Sequence, residues 1–188
     1  LVNGTTYFYV VSAMVSGQET PDSGARSAIP AGLPGIVGWN YDRYGTVEVV
    51  PVSTSNGVKL NVVNSVRVHD EYLYAISEVS SSWPMAAMQA QALAARTYAL
   101  SKVASPVRQA CSCHMDDGGG PYFDQTFTGW IKASSAKGER WVEAVNSTRA
   151  SDTTGQAILY NGQPIRAFYH SSSGGATQSV QDVWGGTL

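Results

Sequence analysis

The residue of this sequence with the clearest potential for chemistry is Glu78, the one carboxylate in a short polar connection that precedes a long stretch of helix-forming residues. A carboxylic acid in a cleft can donate a proton to a leaving oxygen and take one back, which is how glycosidic bonds are cleaved. A carboxylate just ahead of a helix can also serve only to stabilise the positive end of the helix dipole. The spacing is compatible with both roles, so the surrounding elements have to decide between them.

A long helix over residues 84–102 is the element expected to position this acid. Nearly every residue there favours the helical state. Ser81 or Ser82 is suited to the N-cap, and Pro84 to the first turn, where its missing N–H costs nothing. Three long polar side chains interrupt an otherwise apolar surface, namely Gln89, Gln91 and Arg96. The pattern predicts a helix covered by protein on most sides, and a buried arginine then needs hydrogen-bond partners.

Composition and charge exclude several classes of partner. The 188 residues are 43% hydrophobic and 14% charged, with a formal net charge of −2. This balance is typical of a globular domain, and the 19 glycines favour a loop-rich protein that contains β-structure. No basic excess points to nucleic acid or to an anionic membrane surface, and no apolar run approaches the about 20 residues of a membrane span. We expect an α+β protein with a mixed β-sheet packed around the buried helix.

The two cysteines form a small cluster with the histidine that follows them. Cys111 and Cys113 are separated by one residue, and His114 comes next. Three such ligands could hold a structural zinc ion with a fourth ligand from elsewhere, although common zinc knuckles have a longer gap between their cysteines. A disulfide is the alternative in an oxidising compartment, and two free thiols are the third. The sequence leaves all three open, and the expected chemistry needs no cofactor.

A second polar cluster, YHSSSGG, occupies residues 169–175 and places His170 next to Ser171. Adjacent residues of an extended chain point to opposite sides, so this pair is poorly arranged as base and nucleophile. The G-x-S-x-G elbow of serine hydrolases is also missing. The pattern therefore argues against a serine hydrolase, and a tight glycine turn explains it equally well.

Four strings along the chain together resemble the SpoIID/LytB domain family, the group of stage II sporulation protein D and the amidase enhancer. The longest is SEVSSSWPMAAMQAQALAARTYAL at residues 77–100, and the family typically has a Ser-Glu-Met-Pro-like tetrad followed by ALKAQAVAARTYAL. The others, in the family's order, are DQTFTG (124–129), AFYHSSSGG (167–175) and DVWG (182–185). The resemblance covers about residues 36–188. Val79 and Ser80 stand where the family usually has Met-Pro, which alters the backbone just after Glu78.

The resemblance implies a substrate and a set of site residues. Members of the family act on peptidoglycan, and the sporulation member is a lytic transglycosylase whose acid is the glutamate of the tetrad, here Glu78. Trp83, Tyr72 or Tyr74 would form an apolar wall beside it, and Arg96 would hold either a loop or the substrate. Residues implied to contact the glycan, with the 170–173 loop across the groove from the acid, are Gln91, Arg96, Tyr169, His170, Ser171, Ser172 and Ser173.

The first part of the chain has a different pattern. Strand alternation and turn residues predict a hairpin that resembles the last two strands of a fibronectin type III domain. Two strands cannot bury a core by themselves, so we expect a fragment of a longer modular protein. An ordinary hairpin packed on the main domain is the alternative. The expected plan is a fibronectin-like fragment at 1–31, a linker at 32–35 and a SpoIID/LytB-like domain, truncated at its end, at 36–188.

Three classes of function follow from these patterns. The first is a lytic transglycosylase that cuts peptidoglycan glycan strands and leaves 1,6-anhydro-muramic acid ends, with Glu78 as general acid and base. The second is a glycan-binding module that stimulates a separate cell-wall amidase. The third is a structural wall-associated domain, favoured only if Glu78 is buried in a salt bridge with no groove beside it. All three place the protein outside the cell or at the cell wall.

Overall fold

The computed structural model describes residues 6–10, 12, 14–28, 43–117, 124–170 and 172–185. The chain divides into two units, residues 1–39 and 40–188. The expected linker at 32–35 lies outside the described residues. The expected boundaries of the domains remain predictions.

The first unit contains two short antiparallel ladders. Strand β1 (Tyr7–Tyr9) pairs with β4 (Arg26–Ala28), and β2 (Met14–Val15) pairs with β3 (Gln18–Glu19). The turn between β2 and β3 has two residues with positive φ, Ser16 and Gly17, which matches the backbone twist that tight hairpins need. Paired strands were expected here, and the fibronectin-like origin of this segment stays a prediction.

The second unit begins with a long hairpin. Strand β5 (Thr46–Thr54) pairs antiparallel with β6 (Gly57–Ser65), from Thr46 opposite Ser65 to Thr54 opposite Gly57. Gly57 follows the two turn residues with φ +99°, a conformation that glycine adopts without strain. From the sequence, the turn dipeptide Asn56-Gly57 between two alternating apolar runs predicts this hairpin, and the structure confirms it.

The helix expected over residues 84–102 is α2 (Met85–Val103). It follows a π-helical turn (Val68–Tyr72), a short helix α1 (Leu73–Ala75) and the connection that carries Glu78. Pro84 occupies the N-cap position and no side chain caps the helix, so the prediction of a serine cap is wrong. Ser80 and Ser82 hydrogen-bond to each other instead, with 2.7 Å between their Oγ atoms.

Shorter helices and strands follow α2. They are α3 (Trp130–Ser134), α4 (Gly138–Ser147), β7 (Leu159–Tyr160), β8 (Gln163–Pro164) and α5 (Val180–Trp184). Helix α4 is the element that packs most extensively against α2. The side chains of α2 at this contact are small, and Ala92, Ala95 and Ala99 are fully buried. Small side chains let the backbones of α2 and α4 approach closely. Helix α4 thus packs against α2 where we expected a β-sheet.

The α+β class is confirmed, although the strands are less connected than expected. Within the described residues they form four two-stranded ladders and no larger sheet. The core lies between α1, α2 and α4, where Leu73, Ile76, Met88, Trp141 and Val145 are fully buried. None of the described helices is both long and apolar enough to cross a membrane.

Candidate functional site

The segment that carries Glu78 is fixed by pairing with a distant segment. Ile76 forms an antiparallel bridge with Phe127. On one side of the bridge the N–H of Ser77 donates to the carbonyl of Thr126 over 2.9 Å, and on the other the N–H of Thr128 donates to the carbonyl of Ala75 over 2.8 Å. This short ladder brings the connection before α2 against residues 126–128.

The Glu78 carboxylate caps the end of this ladder. Its Oε1 accepts a hydrogen bond from the backbone N–H of Thr126. The side chain is half-buried. In the described part of the chain no lysine or arginine forms an ion pair with it. The acid is therefore oriented by a backbone amide while its charge is not neutralised by a cation.

A groove of about 590 Å³ opens beside this carboxylate. Its walls are the connection at residues 77–82 and the end of α3 with the turn that follows it, residues 131–132 and 135–137. Glu78 is the one acidic residue among these lining residues. Ser81 also lines the groove, and its Oγ is buried without a hydrogen-bond partner among the described residues.

A chain of buried polar groups runs behind the acid. The hydroxyl of Tyr72 donates to Oε1 of Gln125 over 2.6 Å, and Nε2 of Gln125 donates to the hydroxyl of Tyr169 over 2.8 Å. Burial raises the pKa of both tyrosines, and the negative charge of nearby Glu78 adds to the rise. Both phenols therefore stay protonated at neutral pH. Because Gln125 immediately precedes Thr126, this chain also fixes the amide that holds Glu78.

Gln91 and Tyr169, two of the residues expected to contact the glycan, lie near one another beside these hydrogen-bonded groups. Tyr169 is half-buried, and the amide of Gln91 lies close enough to oppose the rise in its pKa. Nε2 of Gln91 is buried and makes no hydrogen bond of ordinary geometry with the described residues. Contact of these two residues with a glycan stays a prediction.

The expected apolar wall is formed in part. Tyr72 is buried close to Glu78, and Val79 packs against the core. Trp83 lies in the same connection with 41% of its surface exposed. Tyr74 faces elsewhere, since its hydroxyl donates to Asn146 over 2.6 Å and its ring packs against Tyr44.

Arg96 has no exposed surface. Its Nη1 donates to the carbonyl and hydroxyl of Thr148, each over 3.0 Å, and to the carbonyl of Gln156 over 3.1 Å. Burial, with a smaller contribution from the charge of Arg149, lowers its pKa to about 10. Of the two roles considered for this arginine, these contacts support the holding of a loop and leave no surface for direct contact with a substrate.

The loop at 170–173 is on the surface. His170, Ser172 and Ser173 are exposed, and Ser171 lies outside the described residues. The chain turns at Gly174 and Gly175, both with positive φ, so the glycine turn that the sequence suggested is present. Among the described residues this loop does not line the groove of Glu78, and its placement opposite the acid stays a prediction.

The cysteines are joined in a disulfide, with 5.1 Å between the Cα atoms of Cys111 and Cys113. A disulfide sulfur is not the thiolate that binds zinc. No group of three or more His, Cys, Asp or Glu side chains in the described residues could hold a metal ion, and this covers His114. With the two sulfurs joined, these three residues do not fit a zinc site.

Two residues near the acid were not singled out from the sequence. Lys132 of α3 is buried, with 6% of its surface exposed, and its Nζ donates to the carbonyl of Val79. Arg140 of α4 donates to the carbonyl of Ser81 over 2.7 Å. A lone lysine or arginine on a helix usually faces solvent. No local signal in the sequence sets Lys132 apart from an exposed lysine, because its partner carbonyl lies 53 residues away.

The comparisons with known proteins agree with the pattern of this site. The profile of the family described as stage II sporulation protein, SpoIID, matches residues 56–160 and so includes the Glu78 connection, α2 and α4. The chain belongs to the SpoIID family. This membership confirms the family resemblance seen in the sequence.

Two relatives are similar to part of the chain. The amidase enhancer of Bacillus subtilis is 30% identical over 112 residues, which are 60% of this chain and 13% of that protein. An uncharacterised protein of Brachyspira hyodysenteriae is 27% identical over 148 residues, which are 77% of this chain and 35% of that protein. The chain thus spans a minor part of each relative's length. No solved structure gives a significant match. Family and relatives support a role related to the cell wall.

Proposed function

We propose that this SpoIID domain is a lytic transglycosylase that cleaves the glycan strands of peptidoglycan, with Glu78 as the acid and base. The observation that supports it best is the state of Glu78. Its carboxylate is half-buried beside a groove, is oriented by the Thr126 amide and has no cationic partner among the described residues. The two more deeply buried carboxylates, Asp70 and Asp124, are in contrast both held in ion pairs.

The reaction has two proton transfers at one carboxyl group. Protonated Glu78 gives its proton to the glycosidic oxygen as the bond from C1 of the muramic acid breaks and positive charge develops at the ring. The carboxylate then takes the proton of the 6-hydroxyl of the same sugar while O6 bonds to C1. The products are a free 4-hydroxyl on one fragment and a 1,6-anhydro ring on the other. No water is consumed, and Glu78 ends protonated as it began.

The groove has features that suit this chemistry. A hydrolase would usually need a second carboxylate to activate water or to bond to the sugar, and the lining residues provide Glu78 alone. Because Oε1 accepts the Thr126 N–H, Oε2 is the oxygen available for proton exchange. Trp83 lies in the same connection just outside the groove lining, and its exposed ring could stack on a sugar.

A second candidate is a glycan-binding module that stimulates a cell-wall amidase, and the name of the Bacillus subtilis relative, amidase enhancer, favours it. The same groove would then bind a strand without cleaving it. Both candidates place the protein at the cell wall or outside the cell, with peptidoglycan strands as its ligand.

Mass spectrometry of glycan ends separates the candidates. Purified strands, with and without stem peptides, are incubated with the protein and the soluble fragments are analysed. Anhydro-muramic acid ends support the transglycosylase, whereas reducing ends show a hydrolase. Unchanged strands, together with stimulation of an added amidase, support the module.

A further inference from the structure

Two cationic side chains donate hydrogen bonds to backbone carbonyls of the connection that carries Glu78. Nζ of Lys132 donates to the carbonyl of Val79, the residue after the acid. Arg140 donates to the carbonyls of Ser81 over 2.7 Å and of Trp83 over 3.1 Å. Three carbonyls within five residues are thus held by side chains of α3 and α4.

The surroundings of Lys132 show that its charge is used for this contact. The side chain is 94% removed from solvent, and its Nζ lies 5.5 Å from the ring centroid of the fully buried Trp141. Among the described residues no carboxylate pairs with Lys132 or with Arg140. Burial lowers the pKa of the Lys132 ammonium, which agrees with a site that offers a carbonyl and an aromatic face but no counter-charge. Burial of an ammonium group costs free energy. We therefore expect the contact with the Val79 carbonyl to have a structural role in the connection.

This role concerns the freedom of the backbone on the far side of the acid. Ladder hydrogen bonds fix the chain before Glu78, but the ladder ends there. Neither Val79 nor Ser80 has a ring that fixes φ, as a proline would. The hydrogen bonds within the connection form a single turn, in which the amides of Ser82 and Trp83 donate to Ser80. Without the two cations, the peptide planes after Glu78 could rotate, and the acid would move with them.

We propose that Lys132 and Arg140 are positioning residues that hold the catalytic connection at residues 79–83, and through it Glu78, in its productive place. The inference rests on the proposed transglycosylase function for its kinetic consequence, but its structural consequence can be measured without any activity. Neither residue touches the substrate in this proposal. Both act through the backbone of the connection.

The test compares Lys132→Met and Arg140→Met with the wild-type chain. Methionine keeps much of the apolar length of either side chain and removes the donors. Hydrogen exchange is followed at the amides of Ser82 and Trp83, which are bonded to Ser80 in the wild type. We expect exchange there to become at least about tenfold faster in either variant, while amides in the centre of α2 exchange at the wild-type rate. Arg166→Met, which removes an exposed cation outside the groove, should change neither.

Kinetics with glycan strands gives the second readout. A displacement of 1 Å can cost about a hundredfold in rate, so we expect kcat to fall at least about tenfold while KM stays within about twofold. A general loss of stability would instead accelerate exchange throughout the domain. If the variants show wild-type exchange at Ser82 and Trp83 and wild-type kcat, the proposal is wrong.

Failure of the proposed function would look different. If the wild-type chain cleaves no glycan but Lys132→Met still loosens the connection, the positioning holds and the transglycosylase assignment does not. If Lys132→Met cannot fold, the less buried Arg140→Met decides, because its carbonyl contacts belong to the same connection.

Discussion

The backbone N–H of Thr126 donates a hydrogen bond to Oε1 of Glu78 across 48 residues of sequence. The donor lies between the Ile76–Phe127 bridge and the buried Gln125, so it is held from both sides. A flexible carboxylate would sample several rotamers, whereas this one is oriented by an amide whose own segment is paired with residues 75–77. The catalytic role proposed for Glu78 therefore depends on the segment at 124–128 as much as on the helix that follows it.

We expect Glu78→Gln to abolish glycan cleavage while folding and glycan binding stay close to wild type. Glutamine keeps the size of the side chain and can accept the Thr126 N–H, but it can neither give nor take the proton. General acid–base catalysis by one group is worth about a hundred- to ten-thousand-fold, and here one group serves both transfers. The measurement is the initial rate of release of anhydro-muramic acid ends.

Glu143→Gln is the matched control, because Glu143 is exposed on α4 and does not line the groove. It should cleave at the wild-type rate. A Glu78→Gln variant that kept more than roughly a tenth of the wild-type rate would assign the acid to another residue.

We expect Tyr169→Phe to lower the free energy of unfolding by about 1–3 kcal/mol, because it leaves the buried Nε2 of Gln125 without its acceptor. Gln125 is 2% exposed, so water cannot easily replace the lost hydroxyl. Tyr160→Phe changes the same atom on a ring that is 72% exposed and should cost less than about 0.5 kcal/mol. Urea unfolding of both variants gives the comparison, and equal costs would show that the buried chain does not stabilise the fold.

Local patterns predicted the helix and hairpins but not the contacts between them. Helix α2 and the β5–β6 hairpin follow from propensity and turn residues within about 20 neighbouring positions. The Glu78–Thr126 bond joins segments whose proximity depends on the whole core. Lys132 was missed for the same reason, since its partner carbonyl lies 53 residues away. The serine N-cap prediction was wrong because the helix begins at Met85 with Pro84 at the N-cap position, which leaves Ser81 and Ser82 upstream of it.

We expect the native protein to contain no reactive thiol, because Cys111 and Cys113 form a disulfide. A thiol reagent under denaturing conditions should detect none before reduction and two equivalents after it, since the chain has two cysteines. Zinc bound by thiolates would give the opposite result, with two reactive thiols without reduction and zinc released to a chelating dye.

We expect Arg96→Met to destabilise the domain by about 2–4 kcal/mol, because it leaves buried carbonyls of Thr148 and Gln156 without this donor. Arg166→Met serves as the control, since Arg166 is exposed, and it should stay within about 0.5 kcal/mol of wild type. Urea unfolding measures both. An equal, small effect would mean that the Arg96 contacts do not hold the loop after α4.

Asp124 is expected to make stability depend on pH in the acid range. Burial alone would raise its pKa, but hydrogen bonds from Lys102, the Asp116 amide, Tyr98 and Arg108 outweigh that effect, so the pKa lies below its ordinary value of 3.8. A carboxyl group whose pKa is lower in the folded state contributes stability above its unfolded pKa and loses it as pH falls through the folded one. The free energy of unfolding should therefore fall as the pH drops below about 4.

The variant Asp124→Asn tests this linkage. At pH 7 we expect it to lose about 3 kcal/mol, the lower end for a broken buried pair, because Lys102 and Arg108 remain partly exposed. Below pH 4 its unfolding free energy should fall less steeply than that of the wild type, since this group no longer takes up a proton. Asp70, whose pKa is also lowered despite burial because of its bonds to Arg67, will leave some slope. Asp152→Asn, at an exposed position, should follow the wild-type curve, and so would Asp124→Asn if its ion pairs contributed nothing.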